Sequence, residues 1–114
     1  MDKLITAQRI ANFLLLKGVA FEEKKMFGGM AFMVDDKMLA GANRDNKLLA
    51  RVDPAEEEAL LCKNGVSPME QAGRVMHGYL FVEPEGYEQD EDLEFWLEKC
   101  LEFNPKAKSS KQKK

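Results

Sequence analysis

One histidine, two cysteines and several runs of carboxylates are the side chains of this sequence with catalytic or metal-binding chemistry to offer. His77 stands between Met76 and Gly78, so a metal site there would have to recruit Cys62, Cys100 or carboxylates from distant elements. A closed structural zinc site normally draws four ligands at recognisable spacings, and none is present. The residues favour a surface or half-buried strand histidine, with pH-sensitive contact to a partner as its economical role. Cys62 and Cys100 lie far apart, lack a C-x-x-C neighbour and fall in helical patterns, which reads as two buried thiols and not a disulfide. Glu56-Glu57-Glu58 and Asp90-Glu91-Asp92 invite a hydrolase reading, but both runs open helices, where the helix dipole and solvation account for them. No nucleophile, base and oxyanion donor come together in sequence. The expectation is a protein that is not an enzyme and takes no cofactor or metal.

Binding is the better-supplied chemistry. In Met26-Phe27-Gly28-Gly29, followed by the apolar run Met30 to Val34, two adjacent glycines interrupt a strand-like sequence. They cost backbone entropy and add no side chain, which points to a bulge, a positive φ or close approach of another backbone. Phosphate-cradling loops need G-x-G-x-x-G, or a Lys-Ser/Thr after the last glycine, and then a helix; here a strand follows. Gly78, inside another strand pattern, repeats the oddity. Arg51, Arg74 and Tyr79 are residue types enriched in binding hot spots; the structural alternative pairs Arg51 with a carboxylate beside the second helix and packs Tyr79 in the sheet with its hydroxyl outward. Methionines 26, 30, 33, 38, 69 and 76 cluster in and around the strands, as core filling or as an adaptable partner-seeking face.

The elements that must position these residues follow from periodicity. Ile10, Phe13, Leu14 and the stem of Lys17 predict a helix from about Asp2 to Lys17, ended by Gly18. Short apolar stretches at Lys24–Phe27, Met30–Val34, Lys37–Ala42 and Lys47–Val52, divided by Asp35-Asp36 and Asn43-Arg44-Asp45-Asn46, predict an antiparallel meander. Asp53-Pro54-Ala55-Glu56 carries the cap, first-turn proline and reach-back glutamate of a second helix. Leu60, Leu61, Ala55 and Ala59 would form its buried stripe, with Glu57 and Glu58 facing water. Met69–Gln71 and Val75–Glu83 predict two strands joined at Ala72-Gly73, and Leu93, Trp96, Leu97, Cys100 and Leu101 a closing helix. The order is helix, three or four strands, helix, two strands, helix: an α+β two-layer domain, an antiparallel sheet covered by helices.

At 114 residues the chain fits one domain, able to bury roughly 65% of its unfolded surface. No apolar run approaches the ~20 residues of a membrane span, and the N-terminus lacks a signal-peptide pattern, which reads as cytoplasmic and without membrane contact. Residues 51 to 104 carry 14 acidic and 4 basic side chains, whereas residues 105 to 114 carry 5 lysines and no acid. The tail reads as a disordered end or, alternatively, as an arm making weak nonspecific contacts to nucleic-acid phosphates.

Met26-Phe27-Gly28-Gly29 with its apolar strand, Asp36-Lys37-Met38, Leu49-Ala50-Arg51-Val52-Asp53, Gly78-Tyr79 with Val82, and the closing Leu-x-x-Trp-Leu helix together resemble the N-terminal domain of TfoX (Sxy), the bacterial regulator of competence genes. The likeness covers nearly all of residues 1 to 104, and residues 105 to 114 do not resemble the regulator's second, C-terminal helical domain, so the expectation is a stand-alone N-terminal domain. The resemblance implies a fold like that of secretion chaperones. It also implies transcriptional regulation by docking to a protein partner, such as a transcription factor or polymerase component, instead of catalysis. Self-association into a homodimer through an exposed sheet edge or the methionine-rich face is a further expectation.

Overall fold

The computed structural model of the protein describes residues 3–26 and 28–107. Helix α1 spans Lys3–Leu16; strands β1 to β4 span Glu22–Met26, Gly29–Val34, Lys37–Ala42 and Leu48–Arg51; α2 spans Glu57–Leu60; β5 and β6 span Val66–Gln71 and Arg74–Val82; α3 spans Asp90–Phe103. The expected order of elements is the observed one. All six strands join a single antiparallel sheet in the order β1-β2-β3-β4-β6-β5.

Local chemistry sets the boundaries. After α1, Gly18 takes φ +72°, and the amides of Gly18 and Val19 donate back to Leu15 and Leu14 carbonyls at 3.1 and 3.0 Å, the paired bonds that close a helix through a left-handed residue. Asp35 and Asp36 (φ +55° and +65°), and again Ala72 and Gly73 (+55° and +77°), make the two-residue turns of hairpins β2–β3 and β5–β6. Two consecutive positive φ values match the right-handed twist of the strands they join. Gly29 is required by sterics: a β-carbon there would fall inside the Ala42 carbonyl of the neighbouring strand. Its partner Gly28 takes φ +74°, so the double glycine is a strand-entry device, as its sequence suggests.

Helices cover one face of the sheet, α1 against β2 and β3, and α3 against β3 and β4. Between the layers lie Ile10 and Leu14 of α1, Leu93, Trp96, Leu97 and Cys100 of α3, and Phe32, Val34, Leu48, Ala50, Leu80 and Val82 of the strands. A register shift at Phe32/Met33 puts both Leu39 and Ala40 in this core. Burying an aliphatic or aromatic side chain of this kind contributes about 1.5–3 kcal/mol. The layers are also pinned by polar contacts. Tyr87 Oη donates to the Asn46 carbonyl at 2.6 Å and lies 3.2 Å from Thr6 Oγ1, which donates to Asn46 Oδ1. Arg9 reaches the carbonyls of Tyr87 and Glu88 and the carboxylate of Asp90.

The second helix departs from expectation. It is a 3-10 turn at Pro54–Glu56 followed by one α-turn, too short to carry an apolar stripe. Asp53 does cap it, accepting from the Ala55 amide at 3.0 Å. The side chain of Glu56 goes instead to Lys99 of α3, at 2.9 Å. Leu60 is buried, but Ala55 and Ala59 are exposed, and Glu57, expected in water, is buried. At the other end the folded chain runs past residue 104. Asn104 donates to the Val34 carbonyl and its own carbonyl accepts from Lys37; Ala107 is buried, and Lys106 pairs with Asp53 at 3.6 Å. The remaining tail lysines, from Lys108 onward, lie outside the described residues. No described helix is long and apolar enough to cross a membrane.

Candidate functional site

The residues singled out in sequence separate into three places. Gly28 and Gly29 sit at the β1–β2 hairpin, where a β-carbon on Gly28 would stand 2.9 Å from Arg44 Nε. Met26 ends β1, and Phe27 lies outside the described residues. Arg74 is exposed at the turn that starts β6, opposite Gln71. Arg51, Gly78 and Tyr79 come together at the far end of the sheet, where Arg51 of β4 is the register partner of Tyr79 of β6.

At that end the backbone is built around Gly78. Its φ of +88° breaks the strand geometry of β6. A β-carbon there would press on the Val52 carbonyl and the Pro54 ring, at 3.1 and 3.2 Å. The Val52 amide donates to the Gly78 carbonyl at 2.7 Å, and the Gly78 amide, turned out of the ladder, donates to Glu57 Oε1 at 2.7 Å. Glu57 is thus a buried carboxylate satisfied by a backbone donor, which is how a charge is retained in an interior. Its Oε2 lies 3.4 Å from His77 Nδ1, whose side chain is 75% exposed. Sequence reasoning missed Glu57. The signal was the glycine in β6, whose inward amide needs an acceptor, but nothing local says that residue 57 supplies it.

Beside this corner, the Arg51 guanidinium lies 5.1 Å from the Tyr79 ring centroid and 5.9 Å from that of Phe103. Guanidinium–ring contacts of this kind orient the cation without neutralising it. They open onto a second apolar cluster made only of strand residues: Ala31, Met33, Met38, Leu49 and Met69, with Met76, Tyr79 and Phe81 partly buried against it. Because alternate strand residues face opposite ways, these belong to the sheet face away from α1 and α3. Lys47 lies 5.7 Å from the Phe81 ring at its margin.

Among the described residues no group of three or more His, Cys, Asp or Glu side chains could hold a metal ion. Burial pushes the Cys100 thiol up to about 12, its hydrogen bond to the Arg51 backbone offsetting only part of that, so it is no nucleophile near neutral pH. Cys62, expected to be buried, is exposed on the turn after α2 and donates weakly to the Glu58 carbonyl at 3.7 Å. The α2–α3 junction carries the ion pairs Glu56–Lys99 and Asp53–Lys106. Burial raises Tyr87 and pairing with Glu56 raises Lys99, but both groups serve packing.

The family profile of the TfoX N-terminal domain matches residues 14–104, from the last turn of α1 to the end of α3. The chain belongs to this family. No curated protein and no solved structure matches it. In this TfoX N-terminal domain the matched span takes in the double glycine, the Arg51–Tyr79 pair, Gly78 and the whole strand-only face.

Proposed function

We propose that this TfoX N-terminal domain is a regulatory interaction module. It acts in transcriptional regulation of the competence type by docking a protein partner on the strand-only face of its sheet. The observation that carries the reading is the composition of that face: Met76, Tyr79 and Phe81 are partly exposed over the buried Met33, Met38 and Met69, and Arg51 and Lys47 border them. Methionine adapts to irregular partners, and Tyr and Arg supply the anchored contacts of binding hot spots. The Glu57–Gly78 latch sets where Tyr79 emerges from β6, so the buried carboxylate serves presentation of the surface and not turnover.

The test is a photo-crosslinking residue introduced at position 79 in cells, with the same residue at Glu91 of α3 as the control position. Adducts to a transcription factor or polymerase component formed from 79 and not from 91, and lost with Arg51→Ala, are the expected result. Adducts from 91 alone, or from neither, overturn the assignment of the face. The nucleic-acid reading rests on the lysine-rich C-terminus, of which Lys106 is already paired with Asp53. It requires binding that weakens steeply with salt and disappears on removal of residues 108–114.

A further inference from the structure

Helix α1 buries Ile10, Phe13 and Leu14, yet three of its large apolar side chains face water: Ile5, Leu15 and Leu16 are 52%, 66% and 89% exposed. Gln8 and Asn12 are exposed between them. These positions follow the i, i+3, i+7, i+10, i+11 spacing of one helix stripe. The stripe carries no charge, in a protein of net charge −3. Arg9 is turned toward Asp90 and Lys17 toward Glu98, at 3.2 and 2.6 Å.

The order of side chains along the stripe identifies what covers it. From either end it reads apolar, polar amide, polar amide, apolar, symmetric about residue 10. A second α1 laid antiparallel on the first therefore sets Ile5 against the partner copy's Leu15 and Leu16, and Gln8 against its Asn12. That is the self-complementarity a two-fold interface needs. The stripe itself offers a charged partner no counter-charge; the charges beside it are Arg9, Asp90 and Glu94, which line a cleft with Asn12 and Leu16. The sheet edges are poor alternatives, since β1 presents Glu22, Glu23, Lys24 and Lys25, all exposed, and β5 carries Pro68 beside a register shift. Such edges discourage strand pairing.

We infer that this domain forms an antiparallel homodimer through the Ile5–Gln8–Asn12–Leu15–Leu16 stripe of α1. A helix of 14 residues is only about 21 Å long, so the contact falls in the small-interface, weakly associating class. Because α1 lies on the helix-covered side, the dimer leaves both strand-only faces outward. If those faces dock partners as proposed above, the assembly is bivalent; the dimer itself does not depend on that reading.

Sedimentation equilibrium of the full chain from 10 µM to 1 mM tests it, with concentrations in the range about where small interfaces associate. The mass rises from 13.0 kDa toward about 26 kDa for a two-fold pair. Ile5→Lys alone and Leu16→Glu alone each stay monomeric, whereas their equimolar mixture recovers the heavier species, because the antiparallel seating brings the two new charges together. Leu16→Ser weakens the dimer at least about tenfold through lost apolar area. Both substituted positions are exposed, so near-ultraviolet circular dichroism of all three variants stays native. Wild-type protein that remains monomeric at 1 mM overturns the dimer. So does Leu16→Glu or Leu16→Ser associating like wild type. Natively folded single variants whose mixture does not recover overturn the antiparallel register.

Discussion

Glu57 Oε1 accepts the Gly78 amide at 2.7 Å across 21 residues of sequence, joining the one-turn helix α2 to the interior of β6. Truncating Glu57→Ala leaves a buried amide without its partner, which costs about 2–3 kcal/mol. Glu57→Gln keeps an acceptor oxygen and loses only the charge, for about 1 kcal/mol. His77→Ala changes stability by less than about 0.5 kcal/mol, because the imidazole is largely in water. Urea denaturation of the three variants checks the order; His77→Ala proving as damaging as Glu57→Ala would show that the imidazole contact, not the backbone bond, holds the corner.

Gly29 and Gly73 separate two reasons for glycine. Gly73 has φ +77° and open space around it, so Gly73→Ala pays only left-handed strain, about 1 kcal/mol. Gly29 has an ordinary φ, but a β-carbon would enter the Ala42 carbonyl, so backbone must move. Gly29→Ala is expected to cost more than about 3 kcal/mol and to lower expression of folded protein. Equal midpoints for the two variants would contradict the close β2–β3 approach.

The cysteines give a pH-dependent prediction whose sign is fixed. Cys100 holds its proton in the folded protein up to about 12, while an unfolded thiol releases it near about 8.5. Above pH 8.5 the unfolded chain therefore binds fewer protons and stability falls by about 1.4 kcal/mol per pH unit. Burial of Tyr87 adds a loss of the same sign at higher pH. So does Lys99, raised chiefly by its bond to Glu56, whose contribution is complete below its unfolded value and lost as pH passes the folded one. Cys100→Ala removes the component that begins near pH 8.5 and leaves the later ones. In thiol labelling at neutral pH, the exposed Cys62 reacts and Cys100 waits for denaturant.

What the sequence made legible was what neighbouring residues decide together. The spacing of Leu93, Trp96, Leu97 and Cys100 located α3, Asp53-Pro54 located the cap before α2, and Asp35-Asp36 located a hairpin. Glu57 was not legible, because three consecutive glutamates look alike until β6 brings an unpaired amide to one of them. Cys62 was misplaced for a related reason: α2 ends after one turn, so the helical pattern assumed around residue 62 does not exist. The strand-only methionine face was visible as composition, but its sidedness needed the pairing of β2, β3, β4 and β6. Arg51 and Tyr79 are 28 positions apart in sequence, and only the β4–β6 register makes them neighbours.

Ala72 offers a gain where the other variants offer losses. It sits at φ +55° in the β5–β6 turn, exposed, just before Gly73. Alanine in this region carries a strain of about 1 kcal/mol, which asparagine relieves because its short amide is tolerated there. Ala72→Asn completes the Asn-Gly pair that two-residue hairpins favour and is expected to stabilise the protein by about 0.5–1 kcal/mol. For a domain of this size that raises the thermal midpoint by about 2–5 °C. The β5–β6 hairpin carries Met69, Met76, Tyr79 and Phe81 of the strand-only face, so the same substitution stiffens the proposed docking surface without touching it. A midpoint that falls instead would mean that residue 72 does not adopt the left-handed conformation on which the hairpin register depends.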